Sequence, residues 1–143
     1  MSSAPGGRLE QPYSELTKLA TEGITKRIDR RLAFYQIDDA ALSMIVETGR
    51  VIDEKMPKII SAFYHHIGEF PEATRYLRKI DISVVKLKQQ DHWRRLMFSE
   101  FGEDYVRSAV RVGVAHYRVN LPLYLYISGY NNFGDYILGC TLS

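Results

Sequence analysis

Cysteine is nearly absent from the sequence. Cys140 is the single one in 143 residues, so no disulfide can close within the chain. No apolar run approaches the roughly 18 residues that a membrane-spanning helix needs, and the N-terminus lacks the apolar stretch of a signal peptide. A cytoplasmic protein without membrane contact is expected. An excess of one charge is also missing: nineteen Lys and Arg stand against seventeen Asp and Glu, a net charge of +2. No contiguous basic block forms a phosphate-binding stripe, which argues against nucleic acid as a partner. The sequence has no phosphate-binding glycine loop, internal repeat, nucleophile elbow or paired-carboxylate motif. Neither acyl nor phosphoryl transfer is indicated, and enzymatic activity is not expected.

What is present is an ordinary hydrophobic share, 45%, and an unusual number of phenols, ten Tyr. A chain of this length fits one core. The small, polar residues 1–13, with Gly6-Gly7 among them, are expected to form a disordered tail ahead of one domain over 14–143. From there the apolar residues recur at helical intervals and nowhere alternate as strands do, so the fold class is all-α. Leu16, Leu19, Ile24 and Ile28 suggest a first helix, interrupted near Gly23. Asp38 is placed to cap a helix running to about Lys55. Pro57 suits the first turn of the next helix, which carries Ile60, Phe63, Tyr64 and Ile67 on one face and closes at Gly68 and Pro71. Asp81 or Ser83 can cap a helix through Leu87, Gln90 and Trp93 to about Phe98. A helix from Glu103 carries Tyr105, Ala109, Val112, His116 and Val119, and Asn120 with Pro122 stops it. The last helix starts near Pro122 and carries Leu123, Tyr126, Ile127, Tyr130 and Ile137.

Four histidines are candidates for chemistry. His65 and His66 are adjacent, project to different sides of a helix and read as surface residues. His92, beside Trp93 and followed by Arg94 and Arg95, reads as a partly exposed, satisfied histidine or as a neighbour of a cofactor edge. His116 sits inside an apolar stripe, where an imidazole must find a hydrogen-bond partner or ligate something. Gly113 and Ala109, one and two turns earlier on the same helix, leave room for a flat, bulky group, and a haem is such a group.

The run Val112-Gly113-Val114-Ala115-His116-Tyr117-Arg118-Val119-Asn120-Leu121-Pro122-Leu123-Tyr124-Leu125-Tyr126 resembles the proximal-histidine motif of globin-coupled sensors, in which Ile-Gly-x-x-His-x-x-Ile-Gly-Leu leads into Pro and Trp-Tyr. Pro57 to Tyr64 resembles the distal tyrosine helix of that family, and Leu87-Lys88-Gln89-Gln90-Asp91-His92-Trp93 its next distal helix. The family's glycine is Asn120 here, its tryptophan is Leu125, and its proline comes one residue early. Asparagine tolerates the left-handed conformation that a helix end requires.

The resemblance implies a sensor-type globin fold with an extra N-terminal helix. It implies haem b as cofactor, with His116 as axial ligand of the iron and Tyr64 as distal hydrogen-bond donor. Phe63, Leu87, Gln90 and Val112 would line the pocket, and Tyr126 would lie beneath the histidine, or serve only as a core tyrosine. The gas would be oxygen, with carbon monoxide or nitric oxide as other ligands. A C-terminal output domain and a homodimeric full-length protein are also implied. The family's last long helix has no counterpart before Ser143, so the chain reads as a fragment of a larger signalling protein or as a short variant. Two other readings stay open: a haem-free globin-like signalling or dimerisation module, and a haem enzyme acting on peroxide or nitric oxide.

Overall fold

The computed structural model describes residues 10–142, with side chains from Ser14 onward. Seven helices follow one another as α1 (Glu10–Thr25), α2 (Ile28–Phe34), α3 (Asp39–Gly68), α4 (Pro71–Leu77), α5 (Ile82–Phe98), α6 (Glu103–Arg118) and α7 (Leu123–Thr141). There is no strand among the described residues. The all-α expectation holds.

The helix ends are chemically explicit. Asp38 adopts an extended conformation and its carboxylate accepts the Ala41 N–H at 2.8 Å, filling one of the free donors of the first turn of α3. Asp81 does the same for α5, accepting from Ser83 and Val84. The end of α6 is fixed by Asn120, whose φ of 53° is left-handed. The Leu121 N–H reaches the His116 carbonyl and the Asn120 N–H reaches the Tyr117 carbonyl, the pair of bonds that defines a Schellman closure.

Three elements differ from the sequence expectation. The first nine residues of the expected tail lie outside the described residues, but residues 10–13 open α1, with Pro12 in the first turn, where a missing N–H costs nothing. The two helices expected either side of Pro57 are one continuous helix, α3, with Pro57 in its interior. Proline cannot donate to the Asp53 carbonyl, but burial of the residues around it, Met56, Ile59 and Ile60, outweighs that lost bond. A short helix, α4, starts where a turn was expected, with Pro71 at its first position after extended Phe70.

The core lies where α3, α5 and α7 meet. Met56, Ile59, Ile60, Met97 and Phe133 are almost fully buried, and Phe63, Tyr64, Trp93 and Ile137 pack around them. Lys55 of α3 also donates to the Cys140 carbonyl in the last turn of α7. Helix α6 packs instead on α1 and α5 and shares no comparable packing with α3 or α7. Its buried residues, Val106 and Val110, form a separate apolar contact.

Helices α3 and α5 approach closely at the buried Gly49. A Cβ there would sit 2.9 Å from the Cβ of Met97, which cannot swing aside. Gly49→Ala is therefore expected to destabilise the protein by about 1–2 kcal/mol, overpacking outweighing the better helix propensity of alanine. Gly134→Ala in α7, where the same atom would meet nothing, should stabilise by about 0.5–1 kcal/mol. The shifts of the urea midpoints, opposite in sign, check both.

Candidate functional site

His116 lies in the last turns of α6, half-buried, and its ring is held from two directions. Its Nδ1 is 2.7 Å from the Val112 carbonyl, one turn back along the helix. A carbonyl can only accept, so Nδ1 is the donor, and in the neutral imidazole the lone pair lies on Nε2. The second constraint is Tyr126 of α7, whose ring meets the imidazole edge-on with centroids 4.9 Å apart. An imidazole with one nitrogen fixed by a backbone carbonyl and the other available is the arrangement of a metal-ligating histidine.

Tyr126 opens a cluster of phenols. Its hydroxyl is 3.4 Å from that of Tyr130, and the two rings are in edge contact. Burial, and then the neighbouring Tyr126 phenol, pushes the Tyr130 and Tyr105 hydroxyls above the ordinary tyrosine range. From Tyr130 the ring contacts continue to Trp93, from Trp93 to Phe133, from Phe133 to Phe63 and from Phe63 to Tyr64. His116 and Tyr64 thus stand at the two ends of an unbroken aromatic array that crosses α7, α5 and α3.

Tyr64 sits on the buried side of α3, and burial alone raises its phenol to about 12. It stays protonated at any physiological pH and is available as a donor. Its hydroxyl has no hydrogen-bond partner among the described residues, and Lys86 of α5 lies over its ring at 5.9 Å.

The other residues singled out in the sequence divide. Phe63 is bound into the core by its contacts with Phe133 and Tyr64. Val112 supplies the carbonyl that orients His116. Gln90 is half-buried and Leu87 is 68% exposed on α5, and neither is joined by a hydrogen bond or ring contact to Tyr64 or His116 among the described residues. The buried side-chain atom without a partner is Oε1 of Gln89, not of Gln90. Gly113 and Ala109 do leave open space along α6, but toward α1. They line a groove of about 420 Å³ against Ala20 and Ile24 of α1, on a different side of α6. That groove contains neither His116 nor Tyr64.

His92 is satisfied, as one of its sequence readings had it, but buried rather than partly exposed. Its Nδ1 is 2.8 Å from the Ser108 hydroxyl of α6 and its ring stacks on Tyr105. It fastens α5 to α6. The signal was present in the sequence as Ser108, a hydroxyl in the second turn of an otherwise apolar-striped helix, but nothing in spacing paired the two. His65 is exposed and 4.0 Å from Glu69, whereas His66 packs on Phe70. No group of three or more His, Cys, Asp or Glu among the described residues could hold a bare metal ion. The donor set therefore suits a metal that brings most of its own ligands, as in a haem, with one imidazole from the protein.

The Protoglobin family model matches residues 24–143, well over half of the chain and everything from the end of α1 onward. No curated protein and no solved structure matches.

Burial lowers the His92 pKa, Asp91 raises it less, and Arg95 lowers it further. In the window between that lowered value and the ordinary histidine value, the unfolded chain binds the proton that the folded chain refuses. Stability is therefore present above the ordinary value and lost as pH falls through the lowered one. The urea midpoint is expected to drop as pH falls below about 6.5, and His92→Gln should flatten that slope while lowering stability at pH 7.

Proposed function

Because the chain belongs to the Protoglobin family, we propose that it is a haem-based oxygen sensor in which His116 ligates the iron and Tyr64 donates a hydrogen bond on the gas-binding face. The family is one of haem-based binding and sensing of diatomic gases. The observation that supports the residue assignment is the bond between His116 Nδ1 and the Val112 carbonyl, which leaves Nε2 of the neutral imidazole available to a metal.

When bound, haem supplies an iron centre that takes up diatomic gases reversibly. The chain's own residues do the rest. The Val112 carbonyl holds the imidazole in one tautomer and raises the basicity of Nε2. The edge of Tyr126 limits rotation of that ring. Tyr64, neutral because of burial, presents an O–H to a ligand that carries partial negative charge, which favours oxygen over carbon monoxide. Gln90, half-buried on α5, is a second amide donor for the same face, and Phe63, Leu87 and Val112 supply apolar lining. Haem b, held without covalent attachment, fits a chain whose one cysteine lies far from His116 in sequence.

The sensing reading includes an output domain and a homodimeric full-length protein. Supporting this, α7 exposes Leu123, Ile127 and Leu138, an apolar surface of the kind that marks contact with another element. No helix among the described residues is long and apolar enough to cross a membrane, in keeping with action in the cytoplasm.

Absorption spectra of the purified ferric, ferrous and oxygenated protein test the proposal. A Soret band is expected, and its absence from protein supplied with haem would favour the haem-free module. His116→Ala should abolish stable haem retention, and full haem occupancy with unchanged ferrous spectra would refute the ligand assignment. Tyr64→Phe keeps the ring and removes the donor, so loss of about 1–1.5 kcal/mol should speed oxygen dissociation roughly five- to tenfold, with a smaller effect on carbon monoxide. Equal oxygen off-rates, with the larger change in Gln90→Leu, would transfer the donor role to Gln90.

A further inference from the structure

Helix α2 and the turn after it carry a feature that the haem reading does not use. Arg27, Arg30, Arg31, Phe34 and Tyr35 line one concavity of about 520 Å³. Their spacing, i, i+3, i+4, i+7 and i+8, is that of a single helical face. Such a face ordinarily turns an apolar stripe toward a core. Here it is built of guanidinium groups and aromatic rings and stands in solvent, with Phe34 82% and Tyr35 71% exposed. Asp29, the acidic residue of α2, falls off that face by its position. None of the three arginines has an ion pair with a described residue.

The aromatic end of the concavity is conformationally fixed. Gln36 adopts a left-handed φ of 57°, unusual for a residue other than glycine. The Ile37 N–H bonds the Leu32 carbonyl and the Gln36 N–H the Ala33 carbonyl, closing α2 as Asn120 closes α6. The two rings consequently stand edge to face, centroids 5.6 Å apart and 86° between planes. One planar face is left open beside three cations that have no ion pair among the described residues.

We propose that this concavity binds a nucleotide carrying at least two phosphates. Arginine forks match phosphate oxygens bidentately, and three of them on adjacent turns exceed what a single charge requires. An exposed aromatic face is the surface on which a planar base stacks. The volume falls in the range of small-ligand sites, about 300–1,000 Å³, and a concave surface suits a compact ligand better than a flat bilayer. The site is independent of His116 and Tyr64.

Isothermal titration calorimetry on the purified chain, with ADP, inorganic pyrophosphate and adenosine as separate titrants, tests the proposal. ADP is expected to bind at least tenfold tighter than pyrophosphate, and adenosine not to bind at millimolar concentration. The double variant Arg30→Ala with Arg31→Ala should weaken ADP at least tenfold, and Arg30→Lys, which keeps the charge but loses the fork, at least threefold. Phe34→Ala should bring ADP down to the pyrophosphate level and leave pyrophosphate within twofold. All these side chains are exposed, so unchanged circular dichroism is expected to accompany the losses. Equal affinity for ADP and pyrophosphate would reduce the feature to a plain anion patch and overturn the proposal. So would unchanged ADP binding in the variants, no heat with ADP at millimolar concentration, or binding to phosphatidylglycerol vesicles or a single-stranded oligonucleotide that ADP does not displace.

Discussion

The near-parallel stack of Trp93 on Phe133, with ring centroids 4.7 Å apart and planes 4° apart, is the contact around which the molecule is arranged. It joins α5 to α7, and Phe63 adds α3 by meeting the edge of Phe133. Large flat rings bury more surface per residue than aliphatic side chains and lose few rotamers in doing so, so three helices can be joined by few side chains. The almost fully buried Met56, Ile59, Ile60 and Met97 close around this centre. Because the stack commits α3, α5 and α7 to one another, α6 finds its partners elsewhere, on α1 and on the His92 side of α5. The imidazole of His116 is thereby kept off the principal core.

Local chemistry written in consecutive residues was legible in the sequence. Asp38 and Asp81 announce helix starts through carboxylates that reach free amides a few positions on, and Asn120 announces an end through its tolerance of positive φ. Pro57 misled because its local effect, a missing donor, is genuine but small beside the burial of the turn that surrounds it, and burial is a property of the assembled helices. The same limit hid α4, whose seven residues gain little from periodicity and start on the geometry of Phe70 and Pro71.

For the candidate site the division falls along the same line. That His116 needs a partner follows from an imidazole in an apolar stripe, and its partner is one turn away, within reach of helical arithmetic. That Gly113 and Ala109 face α1 instead could not be read from spacing, because a small residue marks a close approach without saying to what. The pairing of His92 with Ser108 and the sequence of rings from Tyr126 to Tyr64 join residues on different helices, and only tertiary packing brings them together. Tyr64 illustrates both halves: its buried side was visible from the pattern on α3, whereas the Lys86 ammonium over its ring was not.

The bond from Lys55 to the Cys140 carbonyl gives the packing a mechanical character. It fastens the middle of α3 to the final turn of α7, where helix carbonyls would otherwise lack donors, so α3 with α5 and α7 packed against it forms one plate. Helices α1 and α6 form a second, smaller plate, and the two meet chiefly along α5 and α6, where His92 and Ser108 act as a pin. Through Lys55 the last turn of α7, which as a helix end would otherwise be free to fray, is anchored to the middle of α3.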